Sequence, residues 1–139
     1  VGLGTFAPLQ EEYFVDQRLH SESALITDET AKALNTTKRS GRPIIAVGTT
    51  TTRTLEAFAC DGMIESGAGK TDIFIFPPYE FQIVDHLITN FHLPKTSLLL
   101  LVDAFLQHKG AKKNVMELYR IAIENRFAFY SFGDSMLIL

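Results

Sequence analysis

Asp85-His86-Leu87-Ile88-Thr89-Asn90-Phe91-His92-Leu93-Pro94 leads, through Lys95-Thr96-Ser97, into Leu98-Leu99-Leu100-Leu101-Val102. The first part crowds an acid, imidazoles, a hydroxyl and an amide together. The second is wholly apolar. Burying such polar groups without partners costs about 1–3 kcal/mol each. Phe81 to Leu93 therefore reads as short strand or turn material forming a polar pocket wall, with Pro94 stiffening the turn. Thr96 or Ser97 caps a helix that runs to about His108. That helix is apolar almost all round, so it belongs at the centre of the fold.

Outward from this centre, strands alternate with helices. Thr27-Asp28 caps a helix over Glu29 to Arg39, with Gly41 as its stop. Pro43 to Gly48 is a short apolar run, expected as a buried strand. Thr49 to Thr52 reads as a threonine turn and Arg53 to Cys60 as a helix. Asp61 to Lys70 reads as a mobile glycine-rich loop, and Thr71 to Phe76 as a buried strand stopped by Pro77-Pro78. On the downstream side, Asn114 to Arg126 carries Val115, Leu118 and Ala122 on one stripe, an amphipathic helix. Phe127 to Phe132 reads as a strand, Gly133-Asp134 as a turn and Met136 to Leu139 as a last strand. At the other end, residues 1–12 read as a loop or short strand and Tyr13 to Ile26 as extended. The class is α/β, a mixed sheet with alternating helices.

Composition bounds the function. The 139 residues are 46% hydrophobic and 21% charged, ordinary for one folded domain over residues 1–139. A net charge of −3 gives no electrostatic argument for nucleic acid. The basic clusters Lys38-Arg39-Ser40-Gly41-Arg42 and Lys109 to Lys113 read as solvated helix ends before a phosphate track. Cys60 cannot form an internal disulfide alone, fits a reducing compartment, and beside Phe58-Ala59 reads as a small core residue. The apolar stretches are too short for a membrane span, and no leader pattern is visible. We read a soluble cytoplasmic protein. Its opening Val1-Gly2-Leu3-Gly4-Thr5-Phe6 lacks Met and falls inside a motif, as in a segment of a longer protein.

Several constellations carry chemistry. Ala46-Val47-Gly48-Thr49-Thr50-Thr51-Thr52-Arg53 takes a strand into a helix start, a corner suited to an anion. There Thr49 and Thr50 are candidate binding residues and Arg53 a candidate bidentate grip, with Glu56 expected to orient it one turn on. The opposing reading has the threonines only capping and Arg53–Glu56 a surface pair. Ser66-Gly67-Ala68-Gly69-Lys70-Thr71 imitates a phosphate loop, but Ile64 stands where its first glycine belongs and a strand follows, so we reject it. His20 and Glu22 share one face of an extended segment while Ser21 points away, as a proton-transfer pair or a structural one. Thr89, Asn90 and His92 line the proposed wall; spacing gives no zinc pattern and we expect no metal. Asp134, at a strand end, is a ligand contact or an Asx-turn.

Together these segments resemble one family, the S-adenosylmethionine:tRNA ribosyltransferase-isomerases of queuosine biosynthesis. The resemblance rests on Val1-Gly2-Leu3-Gly4-Thr5-Phe6, Leu19-His20-Ser21-Glu22, Ile45 to Thr50 with Arg53-Thr54-Leu55-Glu56, Asp72 to Pro77, Val84-Asp85 through Pro94, and Arg126-Phe127 with Ser131 to Met136. Leu87-Ile88-Thr89-Asn90-Phe91-His92-Leu93-Pro94 is its most specific piece. Pro77-Pro78-Tyr79 departs from the family's Pro-Gly-aromatic, Thr51-Thr52 from its Ser-Val, Leu19 from its Met, and Thr96-Ser97 swaps its hydroxyl caps. The resemblance implies the C-terminal part of an α/β barrel-like domain, the N-terminal strands and an inserted β-barrel being absent. It implies transfer and isomerisation of the ribosyl part of S-adenosylmethionine onto 7-aminomethyl-7-deazaguanine in tRNA. Epoxyqueuosine forms, and adenine and methionine leave. S-adenosylmethionine is then a co-substrate, no other cofactor is needed, and the full enzyme is expected to be a monomer.

On that resemblance His20 or His92 moves the proton, and Glu22 orients it or is the base. Arg53 with Thr49 and Thr50 holds a carboxylate or phosphate, Thr89 and Asn90 bind ribose or a base edge, and Asp134 pairs with an amine. The competing expectation is a piece that folds and binds ligand without catalysis.

Overall fold

The computed structural model describes residues 11–130 and 133–139. Its elements are α1 (Glu11–Asp16), β1 (Arg18–Ile26), α2 (Asp28–Arg39), β2 (Ile45–Val47), α3 (Thr49–Ala57), β3 (Ala59–Cys60), β4 (Met63–Ile64), β5 (Gly67–Ile73), β6 (His86–Asn90), α4 (Ser97–His108), α5 (Val115–Glu124) and β7 (Ser135–Ile138). The class is mixed α/β. β6 is the centre of a three-stranded sheet, parallel to β2 and antiparallel to β7. β1 pairs with β5, and β3 with β4, in separate antiparallel ribbons. None of these sheets closes into a barrel among the described residues.

α4 sits where its composition requires. Thr96 caps it, its hydroxyl accepting from Leu99 N–H, and Leu98, Leu101, Val102, Ala104 and Phe105 are buried. Of these, Leu101, Val102, Ala104 and Phe105 join Leu87 of β6, Ala46 of β2 and Ile83 in one core. Thr27 likewise caps α2, and Gly41 follows in the left-handed region that glycine tolerates. α5 opens on a reciprocal capping box between Asn114 and Glu117.

Several local expectations are corrected. Thr49 to Thr52 is the first turn of α3, not a preceding turn. Thr51 and Thr52 hydroxyls donate back to the Val47 and Gly48 carbonyls, which absorbs them within the helix. The run Pro43 to Gly48 is not buried on both faces: Ala46 is fully buried, but Ile45 is 51% and Val47 65% exposed, because among the described residues β2 has one face on the core and lies at the edge of its sheet. Asp61 to Lys70 is not a free loop. Asp61 and Gly62 both adopt positive φ, the geometry of a tight hairpin between β3 and β4, and β5 begins at Gly67.

Cys60 ends up exposed on that hairpin, not in the core, and the neighbouring Glu65 and Asp61 charges raise its thiol pKa. Tyr13 to Ile26 is extended only from Arg18; a helical turn precedes it. Residues 127–130 form no strand. Arg126 and Tyr130 take left-handed φ, which breaks the extended pattern that the aromatic residues suggested. The expectations for residues 1–10 and for Ser131-Phe132 lie outside the described residues. No helix among those described is long and apolar enough to cross a membrane.

Candidate active site

The parallel pair β2 and β6 ends at one edge of its sheet, and a cleft of about 380 Å³ opens there. Ligand clefts in open α/β sheets gather at the carboxyl ends of strands, and this volume lies within the usual range for small-molecule sites. Gly48 leaves β2 with φ 91°, a conformation open to glycine, and lets α3 begin against the cleft. No side chain caps α3, whose first residues Thr49 and Thr50 line the cleft. β6 contributes Thr89 and Asn90, the following turn Phe91, His92 and Leu93, and β7 Ser135.

The histidine wall is electrically neutral. His92 Nε2 lies 2.8 Å from Thr89 Oγ1, and the His92 N–H donates to the Tyr119 phenol oxygen at 2.8 Å. Burial lowers the His92 pKa from its ordinary value to about 4, so the ring is uncharged at neutral pH. Thr89 is buried, and Ser135 donates to Asn90 Oδ1 at 3.2 Å. Asp85 is structural: its Oδ2 accepts from Ile44 N–H and fixes β2 against β6.

A second cluster lies along α3. Arg53 donates through Nη1 to Glu22 Oε2 at 2.9 Å, and His20 Nε2 stands 3.5 Å from Glu22 Oε1. The Arg53 side chain is 5% exposed and that of Glu22 10%. Arg53 Nη2 and His20 Nε2 are buried without a hydrogen-bond partner among the described residues. Glu22, Arg53 and Thr50 line a cavity of about 40 Å³. Thr50 lines the large cleft as well, so it joins the two regions.

The expected Arg53–Glu56 pair does not form. Arg53 turns to Glu22 on β1, while Glu56 accepts from the backbone N–H groups of Gln82, Ile83 and Val84. The long-range partners win because both side chains are buried, and each needs charge-assisted hydrogen bonds that a neighbour one turn away cannot supply alone. Glu56 thereby ties α3 to the segment leading into β6.

Thr49, Thr50, Thr89, Asn90 and His92 thus share the cleft, while His20, Glu22 and Arg53 form the adjoining cluster. Asp134 lies in neither. Its Oδ2 accepts from Ala128 N–H at 2.7 Å, six residues earlier, so it closes the start of this loop instead of forming an Asx-turn. The basic clusters also bind locally: Lys109 Nζ donates to the Asp85 carbonyl at 3.0 Å and Lys38 Nζ to that of Gln82. His86 and His92 do not meet in a metal centre, and no group of metal-ligating side chains gathers among the described residues. Sequence reasoning overlooked Tyr130 as a cleft residue.

Fold and cleft together define an α/β protein with a cleft of small-molecule size at its strand ends. The chain belongs to the queuosine biosynthesis protein family, whose model matches residues 1–138. A relative named S-adenosylmethionine:tRNA ribosyltransferase-isomerase from Caldanaerobacter subterraneus subsp. tengcongensis is 50% identical over all of this chain and 40% of its own length. One of the same name from Thermotoga petrophila is 52% identical, again over 100% of this chain and 40% of the relative. The crystal structure of S-adenosylmethionine tRNA ribosyltransferase from Thermotoga maritima superposes with a TM-score of 0.73 at 50% identity, over 86% of this chain and 40% of that one. The chain therefore spans about 40% of the length of the relatives it matches.

Proposed function

We propose that this chain supplies the donor-binding part of an S-adenosylmethionine:tRNA ribosyltransferase-isomerase. The observation that carries the reading is near-50% identity along its whole length to relatives bearing that name. The reaction moves the ribosyl portion of S-adenosylmethionine to the aminomethyl nitrogen of 7-aminomethyl-7-deazaguanine in tRNA, gives epoxyqueuosine and releases adenine and methionine. S-adenosylmethionine acts as co-substrate and no further cofactor takes part. The setting is the cytoplasm. The chain forms the C-terminal part, residues 1–139, of a larger α/β domain, and barrel-like closure requires strands from the rest of the longer protein, which functions as a monomer.

The cleft suits the donor by size, whereas the 40 Å³ cavity beside Arg53 does not. α3 offers its free N–H groups, with Thr49 and Thr50, to the donor carboxylate. Thr89 and Asn90 bind ribose hydroxyls. His92, neutral with a pKa near 4, is a poor base and acts through hydrogen bonds. The proton next to the sulfonium, acidified by the adjacent positive charge, goes to the His20–Glu22 pair. Arg53 keeps the Glu22 carboxylate oriented. Asp134, already bonded to the backbone, holds the loop and uses its other oxygen for an amine.

Incubation of this chain, and of a full-length family protein containing it, with S-adenosylmethionine and precursor-modified tRNA tests the reading by adenine release. Release by the longer protein is expected. Release by neither overturns the proposal. A second reading, a piece that binds donor without turnover, is favoured by the 40% coverage. Donor binding by this chain without adenine release would establish it.

A further inference from the structure

One residue of the cleft is held in a rare backbone conformation while its side chain stays exposed. Tyr130 is held at φ 64°, a left-handed conformation that bulky residues rarely adopt, yet its ring is 46% exposed at the cleft. Such backbone persists only where its surroundings over-determine it. Here they do. The Tyr130 N–H donates to the Phe91 carbonyl at 3.0 Å. Phe129, the preceding residue, packs between Phe91 and Tyr119, with ring centroids 5.0 and 5.6 Å away. Beyond the loop, Asp134 clasps both backbone groups of Ala128. A Cβ on Gly133 would come within 2.4 Å of the Ala128 side chain, so that close approach admits glycine alone. Tyr130 is pinned through its own N–H and through Phe129 while the residue is left half in solvent, beside a cleft with apolar Phe91, Leu93 and Leu98 walls.

We propose that Tyr130 is the base platform of the cleft, a binding residue on whose ring the purine of the nucleoside substrate stacks. This rests on the donor-binding reading above. It gives the ligand a direction: purine on Tyr130, ribose along Thr89 and Asn90, and the anionic end at the start of α3. An aromatic platform of this kind is worth about 1–3 kcal/mol per base, a five- to 150-fold effect on affinity.

The chain has no tryptophan, so its tyrosine emission is directly observable. Adenosine should quench that emission in the unmodified chain, and ribose should not. In Tyr130→Phe the quench should vanish, while calorimetric affinity for adenosine stays within about threefold because the stacking face remains. Tyr130→Gly separates binding from folding. Glycine suits φ 64°, so the Tm should hold or rise, yet adenosine affinity should fall at least fivefold. Unchanged adenosine affinity in Tyr130→Gly, or a quench that survives in Tyr130→Phe, overturns the platform. So does failure of the unmodified chain to bind adenosine.

Kinetics in the full-length protein separate this proposal from the reading it rests on. Adenine release with an unaltered KM for S-adenosylmethionine in Tyr130→Gly removes the platform and leaves ribosyl transfer standing. Tyr130-dependent adenosine binding without adenine release does the reverse.

Discussion

Two stretches of α3, one turn apart, solve opposite electrostatic problems. At its N-terminus the cleft wall is neutral: Thr89 holds an imidazole that burial keeps uncharged. One turn further on, Arg53 and Glu22 are at least as well buried, yet they meet as an ion pair, with His20 against the carboxylate. Depth therefore does not decide whether a group carries charge here. The difference is partnership. Arg53 has a carboxylate at hydrogen-bond distance, whereas the ring of His92 has a hydroxyl, which cannot offset the cost of desolvating a cation. Such a pair of regions suits a reaction in which a proton is moved beside a cationic donor while the donor itself lies against neutral walls.

The largest expected effect breaks the assignment of proton transfer to the charged region. In a full-length protein containing this chain, His20→Ala should lower turnover about 10²- to 10⁴-fold, measured by adenine release. His92→Gln should lower it far less. A reversed order would move the proton-transfer role to the cleft wall, and near-normal turnover in His20→Ala would remove His20 from the chemistry.

Next in size is the ion pair. Arg53→Ala leaves the Glu22 carboxylate buried without its guanidinium, and such losses cost about 3–5 kcal/mol. Urea unfolding should show that drop for Arg53→Ala. The Arg53→Met, Glu22→Leu double variant should lose clearly less, because no lone charge remains. Additive losses would mean that the pair is not coupled.

Acid sharpens the contrast from the other side. The His92 pKa of about 4 in the fold lies below the ordinary 6.5, so the unfolded chain binds protons that the native site refuses. This contribution to stability is complete above about pH 6.5, falls as pH drops from there towards 4, and then levels off. With the ring partly exposed, the loss is at most about 3 kcal/mol. Unfolding at pH 7 and pH 4.5 should show a smaller acid loss in His92→Gln than in the parent chain. Equal losses would mean that the ring protonates in place without penalty.

These contrasts were only partly legible in the sequence. α2, α4 and α5 were, because caps and periodicity act within one or two turns: Thr27, Thr96 and Asn114 each stand where a first helical turn needs them. The shared face of His20 and Glu22 followed from strand alternation. Arg53 was readable as a charged group that needs a partner but not which partner, since Glu22 lies on another element and the choice over Glu56 depends on which backbone groups Glu56 meets across the core. Tyr130 was hidden for a related reason. Aromatic residues around it suggested a strand, and only the contacts with Phe91 and the Ala128–Asp134 clasp impose the left-handed turn that aims it at the cleft.

The smallest prediction tests whether the neutral wall is a unit. Thr89→Val keeps the shape of a residue that is 3% exposed but removes the oxygen 2.8 Å from His92 Nε2. Losing one neutral hydrogen bond should cost about 1 kcal/mol, with the stranded ring nitrogen contributing to it. In combination with His92→Gln the costs should not add, because either change already breaks the contact; the cycle should return a coupling of about 0.5–1.5 kcal/mol. Strict additivity would mean that Thr89 and His92 line the cleft independently. The ring orientation would then be set by Tyr119 and the turn at Pro94, and a ligand would meet two separate polar groups instead of one preoriented pair.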